Sequence, residues 1–564
     1  MPDNDLQRQW ASELADLARS GVFTRREVLR KASAYGLSIP LIGTVLASFG
    51  TQTAASDANP GASTVDGRST SSPTRSSSPM SSGAPGGILS IGALTPSTAV
   101  DPVVGFDAAS IAIFQLTNEY LIGLNRDFTL RPQLATEWEP GDNGQRWIVT
   151  LREGVTFTDG TPFDAEAVTS SFARLLDPES PSSSAQSAFA GILEADGVSV
   201  DDTGNIVFEL VRPYADFPYL ISSNTYNAVI LPTEYAGSYI DNPVGTGPFL
   251  LDSYSAAEGA TLSRNESYWE AGKPLLDGVE FKFYQDPQAQ VIALQSGEID
   301  TQVTSQIGLL ASLEGNGDYT IDEIESTGLN VLTMRVDTPP FDRKEVRQAV
   351  AFALDRVAIN ETLYNGVDTI GNDHLLAPAY PASPTDLPQR ELDLARVEEL
   401  LAGEEVRFTL TFDPPTRDYA VVLQEQLRQA GIEVELAQVT SDEFYAGDQE
   451  SDTPWLFTQS NIVGWAGRAV PTQFINPMVK SGGIWNGSKY SNPVVDTAAE
   501  TYDTSTDDEE KQAQARIIAE AMHDDTPIII TTWSTVIRPF NSARWTGITA
   551  HPSSYIELND VTQA

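Results

Sequence analysis

The 564-residue chain has no cysteine. Disulfides, thiol catalysis and cysteine-based zinc sites are therefore excluded, and so is a lipid-modified cysteine. Histidine is nearly absent: His374, His523 and His551 stand far apart, so no histidine cluster for a metal is expected. Positive charge is scarce, with 34 basic residues against 78 acidic ones and a net charge of −44. Binding a phosphate backbone needs a basic patch, so nucleic acid is excluded as a partner. Also missing are a G-x-S-x-G elbow, an H-E-x-x-H pair and a P-loop lysine motif. No enzyme, no cofactor and no resident metal are expected on these grounds.

What is present is a large apolar content, 41% of residues, in a chain long enough for two or more domains. The acid excess sits in the part that can fold. Residues 1–86 hold 8 basic and 7 acidic residues, and residues 87–564 hold 26 and 71. In dilute buffer such a charge repels itself. At about 1 M salt the Debye length falls to ~3 Å and the repulsion is screened. Lysine is rare even among the bases, seven against 27 arginines. Together these features predict a halophilic protein with an acidic surface.

The first 50 residues read as an export segment. Thr24-Arg25-Arg26-Glu27-Val28-Leu29 resembles a twin-arginine motif, and Arg25 and Arg26 are its core. An apolar stretch, 32–49, follows, interrupted by Gly36, Pro40 and Gly43. Cleavage near Thr53-Ala54-Ala55 and retention as a membrane anchor are both open. Residues 51–86 are rich in Ser, Thr, Pro, Gly and Ala, which predicts a linker with a flexible span of roughly 30–35 Å. Asn265, Asn360 and Asn486 begin Asn-x-Ser/Thr sequons, compatible with glycosylation at the surface.

Residues 134–178 carry the clearest pattern. Trp147, Val149 and Leu151 alternate with Ile148, Thr150 and Arg152, as in a half-buried strand. Gly154 and Asp159-Gly160 supply turns, Asp164 stands at an N-cap, and Val168, Phe172 and Leu175 make a helical stripe. Residues 196–213 read as a hairpin with its tip at Asp202–Asn205. Helices are predicted at about 108–121, at about 287–296 and, as one long helix, after Pro339-Pro340, where Val346, Val350, Ala353 and Val357 share a face. The segments VRFTLTF, YAVVLQEQLRQAGIEVELAQV and IIITTW continue an alternation of strand and helix that predicts an α/β body.

The 134–178 string resembles the signature region of the extracellular solute-binding proteins of the peptide, dipeptide and nickel class, family 5. VGTGPFLLDSY, the block LSRNESYWEAGKPLLDGVEFKFYQDPQAQVIALQSGEID and the stretch 329–366 resemble the same family, in the same order. The resemblance covers about residues 87–560. It implies an α/β, two-lobed periplasmic-binding-protein-like fold, type II, of the large peptide-binder subclass with an extra subdomain. Lobe 1 would span 87–328, with the extra subdomain at about 126–243. Lobe 2 would span 329–535, and 536–564 would return to lobe 1. A monomer is implied that captures a peptide or other small solute and hands it to ABC permease and ATPase subunits. It would meet the membrane through the permease or through a retained N-terminal helix. A secreted hydrolase and a ligand sensor for a membrane receptor are the alternatives. The missing cysteine departs from relatives that are lipid-anchored.

By the same resemblance, ligand contacts are expected between the lobes. Gly464-Trp465 matches a Gly-Trp pair that peptide binders follow with an aspartate clamping the peptide's amine. Here Gly467, Arg468 and Ala469 stand in its place, and Arg468 suits a carboxylate or phosphate instead. Trp465 could stack on a ring, a sugar or a peptide plane, or simply pack. Thr95 and Ser97 after the first strand, Asn224 and Tyr226, and Trp485 complete the candidate set. Peptides, oligosaccharides, small anions and metal chelates remain open as ligands, with His374 the candidate for a chelate. Gly245-Thr246-Gly247-Pro248 is expected to be a tight chain crossing.

Overall fold

The computed structural model describes residues 83–97, 99–177, 188–313, 315–445 and 453–564. Arg25, Arg26, the apolar stretch and most of the linker lie outside them. No described helix is long and apolar enough to cross a membrane.

Of the nineteen strands among the described residues, fourteen form the main paths of the two larger sheets: β1 (Ile88–Leu94), β2 (Ala135–Gly141), β3 (Arg146–Leu151), β4 (Val198–Val200), β5 (Ile206–Glu209), β6 (Phe249–Ser255), β7 (Gly259–Arg264), β8 (Gly278–Tyr284), β9 (Thr301–Gln302), β10 (Tyr319–Met334), β11 (Val406–Phe412), β12 (Ile432–Gln438), β13 (Ser460–Trp465) and β14 (Ile528–Asn541). The main sheet runs β12-β11-β13-β10-β14-β9-β1-β8-β7-β6. Long β10 and β14 join its two halves. They pair antiparallel from Tyr319↔Asn541 to Glu325↔Thr535 and again from Leu329↔Trp533 to Thr333↔Ile528. Between these stretches the register slips, and Ser326-Thr327-Gly328 carries the chain across without ladder pairing to β14.

The signature region builds a separate four-stranded sheet, β2-β3-β5-β4. Trp147 and Val149 are buried and Ile148 and Thr150 are half-buried, as the alternation predicts. Asp164 caps helix α1 (Ala165–Leu175), accepting from the N–H groups of Glu166 at 3.0 Å and Ala167 at 3.1 Å. The buried stripe of α1 drops Phe172 onto Phe208 and Phe189, with ring centroids 5.1 and 5.9 Å apart. This first core continues through Ile192, Tyr214, Phe217 and Leu220. The Gly245–Gly247 crossing is as tight as expected: a Cβ on either glycine would overlap the backbone of Thr117 or Asn118.

Helices α2 (Lys344–Phe352), α3 (Arg356–Tyr364), α4 (Thr472–Met478), α5 (Pro493–Thr504) and α6 (Asp508–Asp525) accompany the other half of the main sheet, and a second core forms with α4, α5 and α6. Phe474, Ile475, Met478, Tyr502, Ile518 and Trp533 are among its buried members. The expected single long helix is two, α2 and α3. Asp355 accepts from the Ala358 N–H at 2.8 Å and starts a new helix. Arg356 then turns inward to Asp373 at 2.7 Å, where Arg390 also arrives at 2.8 Å, all three buried. Two arginines hold the Asp373 carboxylate below its usual pKa against the opposing effect of burial. The break leaves Val357 exposed while Val346, Val350 and Ala353 stay buried.

The sequons fare differently from expectation. Asn265, Asn360 and Asn486 are all buried, and their amides donate to the carbonyls of Gly247, Asp368 and Tyr490. These asparagines serve the fold and are not presented for glycosylation.

Candidate ligand-binding site

A cavity of about 210 Å³ opens between the first and second cores. One wall comes from residues 188–226, which pack on the signature sheet: Ala188, Ile192, Arg212, Tyr214, Leu220, Thr225 and Tyr226. The other comes from α4 and its flanking loops and includes Arg468, Gln473, Asn476, Ile484 and Trp485. The two walls meet in direct bonds. Asn224 accepts from the Ala469 N–H at 2.9 Å and donates to Gln473 at 2.9 Å. The hydroxyls of Tyr214 and Thr472 lie 3.3 Å apart. Beyond them the Ala215 N–H donates to the Asp503 carbonyl at 2.7 Å, Arg212 pairs with Asp503 at 3.1 Å and Lys511 pairs with Asp216 at 2.6 Å. Burial pushes the carboxyls of Asp216 and Asp503 above their usual range, and their cationic partners oppose that shift.

Arg468 owes its position to its backbone. Its N–H donates to the Thr327 hydroxyl at 2.7 Å, and its carbonyl accepts from Thr327 at 2.7 Å and from Tyr380 at 2.8 Å. Gly467 is needed beside it, because a Cβ there would lie 2.7 Å from the Ser326 hydroxyl. The segment that carries Arg468 thus rests on the strand-crossing tripeptide Ser326-Thr327-Gly328. The Arg468 side chain is half-buried, and no ion pair or hydrogen bond holds its guanidinium among the described residues.

Tryptophans fill the adjoining space. Trp465 ends β13, half-buried, with its ring 5.2 Å from Trp485, 5.9 Å from Trp455 and 6.5 Å from Phe474. Trp485 is held by its N–H, which donates to the Pro477 carbonyl at 2.9 Å. It faces the cavity on one side and a narrow cleft shared with Trp465 on the other. Gly464 is exposed beside that cleft.

Of the residues singled out by sequence, Tyr226, Arg468 and Trp485 line the cavity. Trp465 and Gly464 stand behind Trp485, and Asn224 stitches the walls together. Thr95 and Ser97 lie off the cavity wall. Thr95 donates to the Tyr284 carbonyl at 3.3 Å at the end of β1, and Ser97 is exposed. Arg212, Gln473 and Asn476 escaped sequence reasoning, since no local period or motif marks them. None of the histidines reaches the cavity. His374 is buried with its Nδ1 accepting from the Leu376 N–H at 3.3 Å, and burial pulls its pKa down to about 4. Among the described residues no group of three or more His, Asp or Glu side chains could hold a metal ion.

The family model for bacterial extracellular solute-binding proteins, family 5 (middle region), matches residues 129–486. The dipeptide-binding protein of Escherichia coli K12 is 26% identical over 479 residues, covering 77% of this chain and 86% of that protein. The glutathione-binding protein GsiB of E. coli is 26% identical over 421 residues, covering 71% and 80%. Among solved structures, the ABC transporter substrate-binding protein CtaP of Listeria monocytogenes superposes with a TM-score of 0.73 at 23% identity, covering 85% of this chain and 99% of that one. The α/β architecture is that of the two-lobed type II binding proteins. This chain belongs to family 5 of the bacterial extracellular solute-binding proteins.

Proposed function

We propose that the chain captures a small solute in the cavity between its two cores and delivers it to an ABC permease. One observation carries this reading: both walls of the cavity are needed to enclose it, and they come from opposite halves of the molecule. The second core lies in one lobe, and the first core joins the core on β1, β6, β7 and β8 in the other. The hinge is Ser326–Gly328, where β10 leaves its ladder with β14. A ligand touching both walls favours the closed arrangement, which the permease recognises. Tyr226, Arg468 and Trp485 contact the solute, and Trp465 backs Trp485. The cavity lining includes no carboxylate, histidine or lysine, which favours binding over hydrolysis.

The rest of the reading concerns the setting. Export by the twin-arginine route through Arg25 and Arg26, work as a monomer, and adaptation to concentrated salt fit the sequence. Attachment would run through the permease or through a retained N-terminal helix. The related dipeptide- and glutathione-binding proteins make short peptides and peptide-like acids the first ligands to try.

The test is calorimetric titration in concentrated salt with short peptides and their N-acetylated forms. Trp485→Ala is expected to weaken binding by about tenfold or more, the effect of removing a buried aromatic anchor, with an unchanged circular dichroism spectrum. Unchanged affinity in both Trp485→Ala and Arg468→Ala would sink the placement of the site.

A further inference from the structure

Arg468 is the anomaly of this molecule. In a chain with 78 acidic and 34 basic residues, a cation finds a carboxylate almost anywhere. Arg212 has Asp503, Arg335 has Asp337, Arg356 and Arg390 share Asp373, and Lys511 has Asp216. Other guanidiniums without an acid are spent elsewhere: Arg152 lies over the Trp269 ring at 4.1 Å, and Arg538 donates to the Gln302 carbonyl at 2.8 Å. Arg468 alone is half-buried, fixed at its backbone by Thr327 and Tyr380, and turned to a cavity with its five donors uncommitted among the described residues.

The surroundings sharpen this. No Asp or Glu lines the cavity to receive a ligand's ammonium group. The other charge on the wall, Arg212, is also positive and engages Asp503 behind it. Ile192, Leu220, Pro477, Ile484 and Trp485 offer apolar and flat surface. At about 210 Å³ the space is smaller than the roughly 300–1,000 Å³ that drug-sized ligands occupy. A half-buried guanidinium with no side-chain partner among the described residues suits an anion, and its fork matches a carboxylate or a phosphate in two parallel bonds.

Resting on the reading of this cavity as the solute site, we propose that it takes a small oxyanion, a carboxylate or phosphate ester on an apolar body, that has no free ammonium group. Arg468 is the residue that sets this specificity.

Four probes of similar body test it at one fixed salt concentration: N-acetyl-phenylalanine, phenyl phosphate, the neutral N-acetyl-phenylalanine amide, and the cationic phenylalanine amide. At least one anion should bind about tenfold or more tightly than the neutral amide, the size of one charge-assisted hydrogen bond, and the cation should bind weakest. The better anion tells carboxylate from phosphate. Arg468→Ala should bring the anion down to the level of the neutral amide, removing the difference between the two. Arg468→Lys should recover part of the loss, which a merely structural role would not give. Equal binding of anion and neutral amide, no binding of either anion, or an indifferent Arg468→Ala would overturn the proposal. Small-angle scattering separates this from the parent reading. Compaction with a mixture of free peptides but with no anion would overturn the oxyanion class alone. No compaction with any solute would overturn capture between lobes as well.

Discussion

Residues 134–178 and 460–485 are both rich in aromatics and glycine, yet they use them in opposite ways. In the first segment the residues that make its pattern are consumed by its own fold. Trp147 donates to the Gly144 carbonyl, Asp159 and Asp164 hold turn and helix N–H groups, and Phe172 is enclosed by rings. In the second, the Arg468 guanidinium has no partner among the described residues, Gly464 is exposed, and Trp465 and Trp485 are half-buried against each other. The first segment is scaffold whose groups are satisfied. The second is a surface whose groups wait for something. On the proposed site, the segment that names the family is not the segment that selects the ligand.

The harshest way to break this contrast is to cut into the scaffold. Phe172 is fully enclosed, and Phe172→Ala would leave a cavity between Phe189 and Phe208. Its cost is expected at about 3–5 kcal/mol of unfolding free energy, measured by denaturant titration in concentrated salt. The fraction that remains folded should bind solute with ordinary affinity. If affinity per folded molecule fell as far as in Trp485→Ala, scaffold and site would not be separable.

A second probe titrates the scaffold. Glu119 is fully buried, accepting from Trp269 Nε1 at 2.8 Å, from the Tyr268 hydroxyl at 2.8 Å and from Gln133 at 3.3 Å. Arg152 lies over the Trp269 ring at 4.1 Å, and no ion pair holds Glu119 among the described residues. Burial pushes the carboxyl up to about 7, against the opposing hydrogen bonds. The folded state thus keeps a proton that the unfolded chain gives up near pH 4.5. Stability from this group is present below about pH 4.5 and is lost as pH rises to about 7, with a slope of up to ~1.4 kcal/mol per pH unit. Glu119→Gln, which cannot ionise, should remove that fall. Thermal midpoints at about pH 5 and about pH 7.5 check it, and an identical pH profile in the variant would refute it.

How legible this was follows from range. The strand alternation at Trp147–Leu151, the Asp164 cap, the 198–209 hairpin and the crowded Gly245–Gly247 crossing are local and were readable. The break between α2 and α3 was not. The apolar spacing runs on through Val357, and what interrupts it is the Asp355 cap together with the distant partner Asp373 of Arg356. The cavity was half legible. Arg468 stood out because an acid was expected at that place, and Trp485 stood in the wider candidate set. Arg212 and Asn476 face the same space, but only the tertiary fold brings them there. Buried sequon asparagines mislead for the same reason, since a three-residue motif carries no record of depth.

The smallest effect belongs to the most conspicuous residue. Asp164 begins α1 from an extended backbone, φ −147°, and its carboxylate takes two N–H groups that the helix cannot satisfy itself. Asp164→Ala should cost ~1 kcal/mol, within the 0.5–2 kcal/mol range of such caps, and Asp164→Asn much less, because the amide oxygen still accepts. The stripe of Val168, Phe172 and Leu175 stays buried in both variants, so α1 should frey at its first turn only and solute affinity should not change. Amide exchange at Glu166 and Ala167 would report the frayed turn, with α1 protected beyond it. Protection lost along the whole helix would mean that the cap, and not the enclosed Phe172, holds the signature in place. The prediction follows from where the free energy lies: caps and turns make a sequence recognisable at about a kilocalorie each, while the buried rings that cost most to remove look like any other phenylalanine.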